Sequence, residues 1–130
     1  MVTDPISDLL IRVKNAGMAG QSFVKVPYSK QKEIIANLLV KEGYLKYADK
    51  KGKSTNKSIE VGINYNGKEP KISNVKRVSK PSRRIYEGYK KLRPVKFGHG
   101  TLVLSTPKGV MTYKEAKKAK VGGEALFEIW

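Results

Sequence analysis

Ile59-Glu60-Val61-Gly62-Ile63-Asn64-Tyr65-Asn66-Gly67 decides how the first half of the chain is read. Ile59, Val61, Ile63 and Tyr65 alternate with Glu60, Gly62 and Asn64. Successive side chains of a strand point to opposite faces, so this period of two predicts a half-buried strand. Asn66-Gly67, which readily adopts positive φ, predicts a tight turn at its end.

Toward the N-terminus the period changes to that of a helix. Asp4-Pro5 has the form of a helix start: Asp4 can cap, and a proline in the first turn loses no hydrogen bond. Ile6, Leu9, Leu10 and Val13 follow at helical spacing, with Gly17 as the expected stop. Residues 23–26 read as a short strand ended by Pro27. Ser29 is the expected cap of a second helix, with Ile34, Ile35, Leu38 and Leu39 as its apolar face and Gly43 at its C-terminal end. A strand is expected near residues 44–48, and the basic segment 49–57 reads as a loop. Residues 1–68 thus form an expected α/β domain, two helices on one face of a three-stranded sheet.

Residues 69–130 have a different texture. Strand-like pieces at 72–78, 84–86, 101–105 and 124–130 are separated by Ser79-Lys80-Pro81-Ser82, Arg93-Pro94 and Gly98-His99-Gly100. One short helix is expected over 113–119, because Thr112 and Glu115 form the Thr-x-x-Glu capping box. The fold class is therefore α+β, with a mainly β second domain.

Charge narrows the function. The chain of 130 residues carries 27 Lys+Arg against 11 Asp+Glu, a formal +16. Such an excess repels itself in the free protein and becomes favourable against a polyanion, most commonly nucleic acid, whose binding releases condensed counterions. An anionic membrane would call for a cationic amphipathic helix or a lipid signal, and the sequence offers neither. With 0 Cys, disulfides and thiolate zinc sites are excluded. The N-terminus lacks the basic start and long apolar run of a signal peptide, so a cytoplasmic chain is expected.

Three stretches could carry binding. The densest basic run holds Lys76, Arg77, Lys80, Arg83, Arg84, Lys90, Lys91, Arg93 and Lys96 against Glu87, with Tyr86 and Tyr89 interleaved. Arginine forks suit phosphate and tyrosines stack on bases, although the same run also reads as a solvated face with its tyrosines in the core. Ser105-Thr106-Pro107-Lys108-Gly109-Val110 offers hydroxyls and backbone donors with little bulk, suited to phosphate, a ribose 2′-OH or a base edge. It also reads as a plain strand-to-helix turn, and it is not a P-loop. Val121-Gly122-Gly123-Glu124 permits positive φ or close backbone approach, and Glu124 could accept from a base amino group or orient a neighbouring loop. Catalytic material is thin: His99 is the only histidine, the nearest acids in sequence are Glu87 and Glu115, and no zinc or magnesium ligand set is visible. No cofactor and no metal are expected.

Several segments together resemble the bacterial small-subunit ribosomal protein S8 family. They are Thr3-Asp4-Pro5-Ile6-Ser7-Asp8-Leu9-Leu10, Asn15-Ala16, Pro27-Tyr28-Ser29-Lys30, Glu42-Gly43-Tyr44, Ser79-Lys80-Pro81 with Arg84-Ile85-Tyr86, and Leu104-Ser105-Thr106-Pro107-Lys108-Gly109-Val110-Met111-Thr112. Glu115-Ala116, Val121-Gly122-Gly123-Glu124 and Trp130 follow in family order.

The resemblance implies two small domains and no enzyme activity. It implies direct binding to the central domain of small-subunit ribosomal RNA, a role in assembling the subunit platform, and neighbouring small-subunit ribosomal proteins as partners. Some members of the family are thought to bind their own operon messenger RNA. The family's main RNA-contacting loop maps to Ser105, Thr106, Lys108 and Gly109, supported by Gly123 and Glu124. Tyr86, Arg84 and Lys80 belong to its mid-chain motif. A second contact patch maps to Thr3, Asp4, Ser29 and Lys30. Two departures matter. Pro107 stands where the family has a second loop serine, which removes a hydroxyl and a backbone donor. Phe97 and His99 stand where Asn and Leu are usual around Gly98.

Overall fold

The computed structural model describes residues 4–53 and 55–130, apart from the side chain of Phe97. The fold is α+β, and the chain divides into two compact units, residues 1–73 and 74–130.

In the first unit the caps act where sequence placed them. Helix α1, Pro5–Met18, starts at Asp4, whose carboxylate accepts from the Ser7 backbone N–H at 3.2 Å and the Ser7 hydroxyl at 2.8 Å. Ile6, Leu9, Leu10 and Val13 are buried. Gly17 does not stop the helix. The helix continues to Met18, and the left-handed residue beyond it is Gly20, φ +74°. Gly17 serves packing instead, since a Cβ there would lie 3.0 Å from Pro70 Cβ.

Helix α2, Lys30–Lys41, is capped by Ser29 Oγ, which accepts from the Lys32 N–H at 3.1 Å. Its buried stripe is Lys32, Ile35, Ala36 and Leu39, with Leu38 beside it, whereas Ile34 is 40 % exposed. The stripe follows the helical i, i+3, i+4, i+7 pattern, but a lysine opens it, and counting only apolar residues moved the expected face toward Ile34. Lys32 is tolerated there because its ammonium donates to Asp8 Oδ2 at 3.0 Å and to the Pro27 carbonyl at 3.3 Å.

Strands β1 (Phe23–Pro27), β2 (Leu45–Lys51) and β3 (Ser58–Ile63) form an antiparallel sheet in the order β1-β3-β2. Helix α1 packs on β1 and β3, and α2 on β2. Residues 49–51 belong to β2, where Lys51 pairs with Ser58, so the expected loop is shorter than read. Backbone pairing with β3 outweighs the poor strand propensity of Asp-Lys-Lys at an exposed edge. Strand β3 ends at Ile63 rather than at Tyr65, and Tyr65–Asn66 (β4) and Glu69–Pro70 (β5) form a short hairpin around the turn foreseen at Asn66-Gly67, with Gly67 at φ +68°.

The second unit is organised around its last strand. Its strands are β6 (Val75–Arg77), β7 (Tyr86–Glu87), β8 (Thr101–Thr106), β9 (Gly109–Thr112) and β10 (Gly123–Ile129), and all its pairs are antiparallel. The order is β6-β10-β8-β9, with β7 also paired to β10. Helix α3, Tyr113–Ala119, has the expected Thr112–Glu115 capping box. Leu92, Leu104, Tyr113 and Ala116 form a core cluster, joined by Tyr89, Leu102, Met111 and Val121. Burying each large apolar side chain contributes roughly 2 kcal/mol.

At the start of β10 the neighbouring strands come so close that residue 123 must be glycine. A Cβ there would collide with the Ser105 carbonyl and lie 3.0 Å from Thr106 Cα. Gly122 is confined similarly, with a Cβ position 2.8 Å from Gly88 Cα. Neither glycine has positive φ, so close approach alone explains the pair.

Two outcomes follow. Arg12 beside Asp8 first, then Lys32, hold its carboxyl below the usual carboxylate range, against partial burial. Asp8→Asn leaves Lys32 buried without its counter-charge and should cost about 3 kcal/mol in urea unfolding, whereas Lys32→Met should be nearly neutral. Because the folded pKa is depressed, the Asp8 contribution is present above the unfolded pKa. It is lost as pH falls from about 4 through the folded value, and the Asn variant should lack that decline. Gly123→Ala should cost about 3 kcal/mol by forcing β8 from β10, read as a drop in unfolding midpoint.

Candidate nucleic-acid interface

The Ser105–Val110 stretch is a β-hairpin, not a strand-to-helix turn. Strand β8 returns as β9, with Thr106 paired to Gly109 and Ser105 to Val110. Sequence reading missed β9 because its four residues lie directly against the α3 cap, leaving little room for an alternating pattern. Pro107 and Lys108 form the two-residue tip. Proline's fixed φ suits the first corner of a turn, and Gly109 takes φ +116°, which side chains disfavour. The Thr106 hydroxyl locks the tip, donating to the Gly109 carbonyl at 2.8 Å and accepting from the Lys108 N–H at 3.1 Å. The exposed Ser105 hydroxyl and Lys108 ammonium have no protein partner among the described residues.

Pairing carries this hairpin into a wider row. Ser105 is opposite Glu124 on β10, and Glu124 is opposite Tyr86 on β7. Residues directly opposed across antiparallel strands point to the same face, so Val110, Ser105, Glu124 and Tyr86 form one line across four strands. At strand spacings near 4.8 Å, that line is about 14 Å long. Tyr86 is 70 % exposed, so its ring faces solvent rather than the core. Tyr89 packs against the core instead.

Glu124 is the one acid in the row. Its Oε2 accepts from the Arg84 guanidinium at 3.1 Å, which offsets its repulsion of phosphate and fixes its orientation. Arg84 is itself positioned by a tight turn. Ser79 is fully buried, and its hydroxyl accepts from the Ile85 N–H at 2.8 Å and donates to the Ile85 carbonyl at 3.2 Å. Lys80 and Arg83 exchange two backbone hydrogen bonds of 2.9 Å, which leaves Lys80, Arg83 and Arg84 exposed at the turn. Arg83 is part of the basic run legible in the sequence, whereas the role of Ser79 in holding this turn is not. The signal for Ser79 is the Ser-Lys-Pro-Ser turn composition, which marks a turn without saying what it holds.

The chain therefore brings together Lys80, Arg84, Tyr86, Ser105, Thr106, Lys108, Gly109, Gly123 and Glu124, all within the unit of residues 74–130. Asp4, Ser29 and Lys30 lie in the other unit. Asp4 and Ser29 serve as helix caps, and Lys30 stands 4.0 Å from Glu33. Thr3 lies outside the described residues.

His99 is exposed after the 3-10 turn Lys96–Gly98. Among the described residues no three His, Cys, Asp or Glu side chains gather as a metal site would require. No helix among them is long and apolar enough to cross a membrane.

The arrangement supplies hydroxyls, ammonium and guanidinium groups, one oriented carboxylate and one open aromatic ring on a rigid sheet. Comparison with known proteins agrees in kind. The family model described as ribosomal protein S8 matches residues 4–130. The small ribosomal subunit protein uS8 of Dictyoglomus thermophilum is 48 % identical over 129 residues, covering 99 % of this chain and 98 % of its own. That of Nitratidesulfovibrio vulgaris is 46 % identical over 131 residues, all of both chains, and that of Mycoplasmopsis agalactiae 44 % over 129, covering 99 % of this chain and 98 % of its own. On the sequence motifs, the fold and these matches together, the chain belongs to the ribosomal protein S8 family.

Proposed function

We propose that this protein, as a constituent of the small ribosomal subunit, binds the central domain of small-subunit ribosomal RNA directly and helps assemble the subunit platform. The observation that carries the reading is the row Tyr86–Glu124–Ser105 ending in the locked tip Thr106–Gly109.

Binding has two physical parts. The +16 charge attracts phosphates over a long range and in a salt-dependent way. The row then selects a site by contact. The deep, narrow major groove of A-form RNA does not admit side chains, so the readable features are bulged or unpaired bases and minor-groove 2′-OH groups. Tyr86 offers a stacking surface, Ser105 a hydroxyl that donates or accepts, and Glu124 an acceptor for a base amino group. Lys108, Arg84 and Lys80 surround them with charge for the flanking phosphates. Pro107 leaves the tip without a second serine, but its fixed φ narrows the shapes the free tip can take, which reduces the ordering cost of binding. Asp4, Ser29 and Lys30 would belong to a separate contact of the first unit.

Thr106→Val should weaken binding to a bulged ribosomal RNA fragment about tenfold, the equivalent of one or two hydrogen bonds, and leave binding to a perfect duplex nearly unchanged. Thr106→Ser keeps the hydroxyl and should stay near wild type. Equal weakening on both RNAs would show that the tip is not the reader. Tyr86→Ala should lose about 1–3 kcal/mol on the bulged fragment alone if a base stacks there, measured by filter binding at one salt concentration.

A further inference from the structure

The first unit carries a cationic surface of its own. Residues 49–58 read Asp-Lys-Lys-Gly-Lys-Ser-Thr-Asn-Lys-Ser, where β2 turns into β3. Lys50, Lys51, Lys53 and Lys57 are all exposed, and none has a carboxylate partner among the described residues. Three other cations of this unit are paired, Arg12 and Lys32 with Asp8 and Lys30 with Glu33. Mutual repulsion should spread four free ammonium groups apart, yet two of them converge on one ring. Lys50 Nζ stands 4.8 Å and Lys57 Nζ 5.7 Å from the Tyr28 ring centroid. Tyr28 is anchored at both ends, its hydroxyl donating to Glu33 at 3.3 Å and its N–H donating to the Lys57 carbonyl at 3.2 Å.

We infer that this β2–β3 hairpin end is a further RNA contact, additional to the one proposed at Asp4, Ser29 and Lys30, and acts as a phosphate clamp that grips an RNA backbone without reading its sequence. The inference rests on the RNA-binding reading given above. A ring already approached by two ammonium groups is poorly placed to stack on a base, which leaves phosphate as the chemistry on offer. Compact ammonium groups on flexible stems suit phosphate as point charges and carry no base code. No apolar side chain lies between residues 49 and 58, so nothing there would enter a lipid interface. Tyr28 acts as a positioning residue, holding Lys50 and Lys57 together in the free protein.

The test uses the full chain and two RNAs, a perfect duplex and a bulged ribosomal fragment, each titrated over salt. Replacing Lys50, Lys51, Lys53 and Lys57 together by Gln should make the slope of log affinity against log salt shallower by about 3 to 4, from roughly 0.7 to 0.9 for each of four phosphate contacts. The ratio of bulged to duplex affinity should stay at its wild-type value. Tyr28→Leu keeps all four charges and should weaken binding severalfold with little change of slope. An unchanged slope in the fourfold variant, with its melting temperature intact, would overturn the clamp. So would displacement of the duplex by polyglutamate of equal charge as effectively as by unlabelled duplex, since the partner would then be an acidic polypeptide. Failure of the RNA-reading tip looks different: the wild-type chain would show no preference for the bulge, while the slope change on the duplex could still appear.

Discussion

At its start, strand β10 can lie between β7 and β8 only because residue 123 has no side chain. The Ser105 carbonyl and Thr106 Cα occupy the space where a Cβ would go. This contact sets the register Glu124 opposite Ser105 on one side, and the Gly123–Glu87 pairing sets Glu124 opposite Tyr86 on the other. Everything proposed as the RNA-reading row inherits its geometry from that close approach. The glycine is thus a structural requirement that a functional site depends on. Its φ is not positive, so close approach and not a left-handed turn explains the glycine.

Around this backbone constraint the side chains are held by short hydrogen bonds rather than by mass. Thr106 ties the tip, Ser79 ties the turn that presents Arg84, and Arg84 orients Glu124. Each tie satisfies polar groups that would otherwise search several conformations, so the surface meets its partner already shaped. Charge works on another length scale. Screening at physiological ionic strength extends about 8 Å, so in the proposed binding the lysines would act at that range and the row only on contact.

The elements with local signals were legible in the sequence. Asp4, Ser29 and Thr112 cap helices as their side chains suggest, and the Asn66-Gly67 turn lies where its composition places it. Three of the errors share a cause, a contact made at long range, whereas β9 was missed for the local reason that it abuts the α3 cap. Gly17 lies inside the last turn of α1, where Pro70 packs against it, Lys32 is buried because Asp8 neutralises it, and residues 49–51 are strand because β3 pairs with them. The site was legible as a list and not as an arrangement. Ser105, Glu124 and Tyr86 stood out by composition and by resemblance, but only strand order makes them neighbours. That Thr106 bonds within its own turn, leaving Ser105 as the free hydroxyl, is beyond sequence reasoning.

Amide chemical shifts of the full chain, recorded while adding a bulged ribosomal RNA fragment and then a perfect duplex, test the central claim most directly. The account predicts that only the bulged fragment produces large, saturable shifts at Tyr86, Ser105, Thr106, Gly109 and Glu124, and that the duplex perturbs basic surfaces without singling them out. Equal shifts at these five residues with both RNAs, or none with either, would contradict it.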